Sequence, residues 1–508
     1  MPLVPILVAL PLGLAFIFPL LPKRRIRLCD TLAVLGSAVL VVLSLLTIGR
    51  NYVYEIGGWY PPIGINLVLD GFSSLMVIVV SIVSFAALLF SCRYMDTYTQ
   101  RPKYYCLFML MIAGMNGAIL TGDMFNFYVF LEIAALSSYA LVAFGCQHEE
   151  LEASFKYGIL GSVASSFVLL AIALLYSQFG TVNMAHLSQK IAAAGAAGPT
   201  GTVVPFCLML IIAGLGLKAA LVPFHAWLPD AHPSAPAPIS AMLSGVLIKA
   251  IGVYGLVRII FNVFGLDPKL SYALMILGTL SMVIGVFMAI GQWDYKRLLA
   301  YHSISQIGYV MLGIGLGTPL GILGGIFHLA NHAVFKSLLF LTAGAVEHNT
   351  GTRQLQEMGG LNKKMPTTGA TSLVASMSIA GIPPFNGFFS KLIIILACIQ
   401  AGRYGFATWA VVVSIMTLAS FMKVQKYGFF GKLKDHFAKL REVPATMQAS
   451  MIFLAVLCLA MSLMLVPSIR GTLLQPACNA VQQGLQYSKT VLPEEWVASP
   501  NRVAGLEK

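Results

Sequence analysis

The chain has 508 residues, of which 58% are hydrophobic and only 10% charged, with a mean hydropathy of +0.83. Soluble domains carry about 25% charged residues, so this composition excludes an ordinary soluble fold and indicates a polytopic membrane protein. The net charge of +13 does not imply nucleic acid, because the basic residues gather in short loops between apolar runs.

A bilayer core about 30 Å thick takes about 20 apolar residues to cross. Such runs fall near 3–21, 29–48, 64–91, 104–121, 124–145, 157–177, 205–230, 240–260, 271–290, 299–316, 320–344, 369–398, 405–422 and 449–468, fourteen in all. The expected fold is therefore all-α and polytopic, with about 14 transmembrane helices. The first run lacks a basic leading region and an A-x-A site, so it reads as a span and not a cleaved signal. The Gly- and Ala-rich stretch 178–203 reads as a connector, and 469–508 as a polar tail outside the bilayer.

Loops on one side hold nineteen lysines and arginines, against four on the other. The richer side is expected to be cytoplasmic, which leaves both termini outside. After the tail is set aside, five basic residues remain: Arg258 near a span end, where it can snorkel, and Lys218, Lys249, Lys336 and Lys391 deep in spans. Glu132 is the one deep carboxylate. A lysine near the bilayer centre costs at least about 3 kcal/mol, so four of them call for a functional reason.

Two spans are broken in the same way. The seventh reads KAALVPFHAWLPDAH, with Pro223 five residues after Lys218; the twelfth reads GIPPFNGFFSK, with Pro383 and Pro384 before Lys391. Proline removes a backbone donor and frees a carbonyl, so both spans are expected to be discontinuous. The matched spacing of spans 4–7 and 9–12 predicts two inverted five-helix repeats, because an odd number of crossings turns the second copy upside down. The expected divisions are 1–103 (three N-terminal helices), 104–263 (first repeat), 264–425 (second repeat) and 426–508 (basic loop, last helix and tail).

Within this frame Glu132 pairs with Lys218, either for coupling or as a structural ion pair. Lys249 stands about nine residues into the eighth span, as a relay or as a partner for a helix end. His328, His332 and Lys336 recur every four residues, which makes a polar stripe climbing about 12 Å along the eleventh span. His328 and His332 also have zinc spacing, but no third ligand is evident, and no metal is expected. His225 is a candidate cavity residue at the seventh-span break, with Asp230 capping the piece that follows. His302 is either a candidate inlet group or interfacial. His232 is expected in a loop, and Asp123 at the interface. The eight scattered cysteines include no CxxC and no Cys/His cluster, so iron–sulfur and zinc sites are not expected, and no cofactor is assigned to this chain.

The segment NFYVFLEIAALSSYAL, the seventh-span motif, the Lys249 segment, the HxxxH stripe and the broken twelfth span together resemble the antiporter-like subunits of membrane complexes. That family includes the D-type subunits of Mrp sodium/proton antiporters, the large membrane subunits of complex I, and relatives in membrane-bound hydrogenases and formate hydrogenlyases. The resemblance covers about residues 60–425 and is closest to the Mrp D-type subunits and the hydrogenase-type homologues. It implies fourteen helices, a Glu132–Lys218 coupling pair, Lys249 as central relay, His328, His332 and Lys336 as further relay positions, and Lys391 at the exit. The expected function is proton translocation inside a redox-driven complex of several integral membrane subunits in a prokaryotic plasma membrane. The alternatives are the D-type subunit of an Mrp Na+/H+ antiporter and a structural subunit without transport. The chain has no nucleotide motif or redox ligands, so any oxidoreductase chemistry belongs to partner subunits.

Overall fold

The computed structural model describes residues 3–22, 26–197 and 201–493. Lys23, Arg24, Arg25 and the tail beyond 493 lie outside the described residues. Helices α1 to α6 are Leu3–Ile17, Ile26–Leu45, Gly71–Tyr94, Arg101–Leu120, Met124–Val142 and His148–Phe179. Next come α7 (Met184–Ala197), α8 (Val203–Lys218), α9 (Leu228–Ser234) and α10 (Ala237–Phe264). Then follow α11 (Pro268–Ile290), α12 (Tyr295–Gly315), α13 (Pro319–Thr350), α14 (Pro366–Ala380), α15 (Asn386–Gln400), α16 (Tyr404–Val424) and α17 (Ala445–Ala460). Short helices α18 (Pro467–Thr472), α19 (Leu474–Gln482) and α20 (Tyr487–Val491) end the described chain.

Among the described residues, eleven helical segments are long and apolar enough to cross a bilayer, and α8 and α15 are shorter apolar helices. The chain is a predominantly helical, multi-pass membrane protein. The 21-residue α12 falls outside the eleven. It carries Lys296, Arg297, His302, Ser303, Ser305 and Gln306, which lower its hydropathy, yet its whole length is buried except Arg297.

Burial grades the helices into a centre and a rim. In α10 and α13 the apolar window is buried throughout; in α1, α2, α16 and α17 only a third of it is. Rim helices expose large apolar side chains such as Phe155, Leu136 and Ile415, as lipid contact requires. The central helices carry the polar side chains instead.

Local signals set the helix ends. The Asp70 carboxylate accepts from the backbone N–H of Phe72 and Ser73, while the Ser73 hydroxyl accepts from the Asp70 N–H, a reciprocal cap for α3. Asp267, Asp294 and Thr318 cap α11, α12 and α13, and proline stands at the first turn of α11 and α13.

Several expectations need correction. The chain is not purely helical: Tyr52–Glu55 (β1) pairs antiparallel with Asn66–Leu69 (β2), and the third span begins only at Gly71, because 64–70 belongs to this hairpin and its cap. The connector contains α7. The first part of the tail is folded, with α19 packed on α3 and α13 through buried Leu474, Ala477, Cys478 and Val481. Arg258 does not snorkel. It is buried in α10, its guanidinium paired with the Asp70 carboxylate at 2.8 Å and surrounded by the rings of Phe72, Tyr254 and Tyr487. Asp230 caps nothing: it lies inside α9 and pairs with Lys156 at 3.3 Å and Arg297 at 3.4 Å.

Candidate functional site: a buried lysine and histidine row

Lys218 is the last residue of α8. Beyond it, residues 219–227 leave the helical path, and Pro223 lies exposed within the non-helical stretch. The turn closes when the Leu221 N–H donates to the Gly216 carbonyl and the Ala220 N–H to the Leu217 carbonyl, with Ala220 at φ +55°. This is the left-handed cap that glycine usually supplies. It leaves the Lys218 ammonium, 2% exposed, at the negative end of a helix dipole.

The Lys218 Nζ lies 3.7 Å from Glu132 Oε1 and donates to the Tyr139 hydroxyl at 3.1 Å. Glu132 also accepts a hydrogen bond from the Ser165 hydroxyl of α6. The carboxylate is therefore shared between α6 and α8, and at 24% exposure it reaches the flank of the chain. Tyr139 packs edge-on against Tyr157, and Tyr157 stacks on Trp227 with centroids 4.2 Å apart. Trp227 in turn donates to the Leu217 carbonyl at 2.9 Å. An aromatic bracket thus ties α5, α6 and the seventh-span break around the ion pair. His225 lies half-buried in that break.

Lys249 sits in the π-helical portion of α10, Leu243–Val253. A π turn adds a residue per turn and frees backbone groups, and such turns recur at functional positions. The ammonium, fully buried, donates to the Ser244 carbonyl, and the Ser244 hydroxyl bonds Ser303 of α12 at 2.7 Å. Lys336, also fully buried, donates to the Leu299 carbonyl of α12 and lies over the Phe340 ring at 5.5 Å.

His328 and His332 place their rings nearly parallel, centroids 6.2 Å apart. His328 Nδ1 bonds the Ser390 hydroxyl of α15 at 2.9 Å, while neither ring nitrogen of His332 has a hydrogen-bond partner among the described residues. His302 is fully buried, with Nε2 2.8 Å from the Ser420 hydroxyl. Buried polar atoms need partners, so a row with several unmet ones suits water-filled surroundings.

At the second break α14 ends with Gly381 at φ +79°, where the Gly381 N–H donates to the Met377 and Ser378 carbonyls and the Ile382 N–H to Met377. Pro383 and Pro384 follow, both exposed, before α15 begins at Asn386. A Cβ at Gly387 would collide with the Ser378 carbonyl oxygen, so glycine there lets the two half-helices overlap. Lys391 donates to the Ile379 carbonyl at 2.7 Å, at the C-terminal end of α14, and lies over the Tyr309 ring at 4.8 Å. Both broken spans therefore present a lysine to the carbonyl end of a half-helix. Among the described residues, only the first adds a carboxylate.

The elements carrying these residues pack in sequence: α8 on the π portion of α10, that portion on α13, and α13 on α15. Lys218, Lys249, the His328–His332–Lys336 stripe and Lys391 thus stand on consecutive packed helices. Sequence reading misses Ser165, Tyr139, Trp227 and the burial of His232. Tyr139 stands seven residues from Glu132 in the same motif; nothing in the sequence singles out Ser165.

Residues 121–417 match the family described as NADH:quinone oxidoreductase/Mrp antiporter, TM, and residues 60–105 match that described as NADH-ubiquinone oxidoreductase (complex I), chain 5 N-terminus. The chain is 38% identical to the D-type subunit of the Na+/H+ antiporter of Alkalihalophilus pseudofirmus, over 80% of its own length and 82% of the relative's. It is 37% identical to the N-type subunit of the NADH-quinone oxidoreductase of Desulforudis audaxviator, over 86% and 89%. Among solved structures it is similar to a chain of the Mrp complex from a Dietzia species, with TM-score 0.89, 31% identity, and 97% and 100% coverage. It is also similar to a chain of an archaeal membrane-bound sulfane sulfur reductase, with TM-score 0.88, 34% identity, and 96% and 99% coverage. The chain belongs to the NADH:quinone oxidoreductase/Mrp antiporter family and is an antiporter-like membrane subunit of the kind found in Mrp and complex I-like assemblies.

Proposed function

We propose that this chain carries protons across the membrane along Glu132, Lys218, Lys249, the His328–His332–Lys336 stripe and Lys391, within a complex of several membrane subunits. The observation that carries the reading is the succession of packed helices bearing one partly buried carboxylate and four buried lysines. A cluster that served packing alone would be balanced in charge, because unpaired buried charge is costly. In this reading the chain crosses the membrane fourteen times, the short half-helices at each break counting together. Spans 4–8 and 9–13 are inverted repeats, and the basic face is cytoplasmic with both termini outside.

The chemistry follows from the geometry. While Glu132 holds Lys218, the ammonium keeps its proton. When the carboxylate turns to the Ser165 hydroxyl alone, Lys218 loses its counter-charge and its proton moves toward Lys249. Two unit charges about 10 Å apart at an effective dielectric of about 20 interact by about 1.7 kcal/mol, roughly one pKa unit, so each step biases the next. Lys391 releases the proton on the far side. With no carboxylate paired to it among the described residues, its ammonium is steadied by the α14 carbonyl end, a weaker hold than the ion pair at Lys218, which favours release.

The driving assembly is a redox-driven pump in one reading and an Mrp-type Na+/H+ antiporter in the other. Likeness to the sulfane sulfur reductase chain supports the first, and likeness to the D-type antiporter subunits the second. No cofactor is assigned to this chain in either. Lys218→Ala in the assembled complex is expected to abolish proton movement; intact pumping would sink the axis. Sodium-dependent pH changes in vesicles without an electron donor would select the antiporter, and co-purifying iron–sulfur subunits the redox pump.

A further inference from the structure

The sequence points to a loop for His232, but the structure buries it completely, in α9 between the rings of Trp227 and Phe340 at centroid distances of 6.0 and 5.5 Å. Neither of its ring nitrogens has a hydrogen-bond partner among the described residues. Phe340 is also the ring over which the Lys336 ammonium lies, so His232 and Lys336 flank one aromatic side chain. The charged groups whose fields reach the imidazole are Lys336 and Lys249.

Directly after His232, Pro233 to Pro236 form part of the wall of a cavity of about 580 Å³ that opens on the basic face of the chain. Glu149, Glu150 and Glu347 line the same cavity. Two cations fasten its floor: Lys296 donates to the Ala235 carbonyl at 3.2 Å while paired with Glu347 at 2.6 Å, and Arg353 donates to the Pro233 carbonyl at 2.8 Å. The backbone on one side of His232 is thus pinned to a charged, solvent-facing vestibule, while its ring points among the groups around Lys336.

We propose that His232 is the inlet relay, which accepts protons from the charged vestibule and hands them to Lys336 and Lys249. The inference rests on the proton-axis reading and assigns its loading step. An imidazole suits the task because it can gain a proton at one nitrogen and give it up at the other near neutral pH. At the mouth, Glu347 and Glu149 pair with Lys296 and Arg353, and these pairs hold the floor beside His232 in place. In the transfer, one N–H bond forms at His232 as an O–H bond of a hydronium ion or a vestibule carboxylic acid breaks, leaving water or a carboxylate. The proton then leaves the other nitrogen for a neutral lysine amine, so charge and protons balance.

The test uses His232→Phe and His232→Gln in the assembled complex, in vesicles from its own membranes, with assembly checked by native electrophoresis. Both variants are expected to slow proton movement at least about tenfold at neutral pH. The remaining rate should climb steeply, roughly tenfold per unit, as the pH on the basic face falls, because loading has become limiting. Wild-type rates in either variant, or a loss of equal size at every pH, overturn the relay. Lys249→Ala serves as the reference. If it too moved protons at the wild-type rate, the axis itself would fail, an outcome distinct from failure of His232 alone.

Discussion

At the scale of single residues, charges that hold the fold stand apart from those of the proposed proton axis. Arg258 and Asp70 form a bidentate, buried pair that joins α10 to the cap of α3, and Asn262 beside them bonds the Ala480 carbonyl of α19. Removing one partner leaves the other charge buried and alone. Arg258→Ala should therefore cost about 3–5 kcal/mol, read as a lowered melting temperature of the purified protein in detergent. Asp123, between α4 and α5, is buried, and burial pushes its carboxyl up to about 6 from an ordinary 3.8. Its folded-state value lies above its unfolded one, so the charged form penalises folding. That cost is full above about pH 6 and relieved as the pH falls toward about 4. Asparagine caps helices as well as aspartate does. Asp123→Asn should thus raise stability at pH 7 by about 1–3 kcal/mol and flatten its dependence on pH between about 4 and 7. An unchanged pH profile in thermal unfolding would count against it. At the ion pair, Tyr139→Phe removes a hydrogen bond to Lys218 without touching the carboxylate. It should slow proton movement less than Lys218→Ala does, measured by vesicle acidification.

At the scale of elements, the two broken spans obey one rule with different residues. Each ends its first half in a left-handed cap, filled by Ala220 in one and Gly381 in the other. A side chain is disfavoured in that conformation by about 1 kcal/mol. Gly381→Ala should destabilise by at least that much, since the new Cβ would also approach the Lys391 side chain at 3.1 Å. Ala220→Gly should be neutral or stabilising, read again by thermal unfolding. The breaks themselves were legible, because Pro223 and Pro383–Pro384 interrupt apolar runs beside a lysine. The π turn under Lys249 was not legible. It lies where α10 packs at once on α8 and α13, and no local residue pattern in the chain marks it. The hairpin of β1 and β2 escapes the sequence for a similar reason. Its second strand, Asn66–Leu69, is apolar and runs into α3, so the two merge into one hydrophobic run.

At the scale of the whole molecule, the burial gradient fixes what faces lipid and what does not. Glu132, partly exposed on α5, and the exposed prolines of both breaks lie at the flank of the isolated chain. Charged or unpaired groups at membrane depth persist where protein covers them. A tagged copy in mild detergent should therefore bring down other integral membrane subunits, identified by mass spectrometry. Recovery of this chain alone, stable and monodisperse, would argue against assembly.

The sequence by itself determined the membrane class, the apolar runs, the two breaks and the buried lysines. Each depends on composition or local pattern, and the cost of charge in lipid makes four deep lysines conspicuous wherever they fall. Tertiary structure alone decided who neighbours whom. It put Ser165 on Glu132, gave Arg258 to Asp70, buried His302 and His232, and set Lys391 against a helix end. Those pairings join residues up to 188 positions apart, as with Asp70 and Arg258. Helical periodicity carries no information over such separations; only the packing of whole helices does.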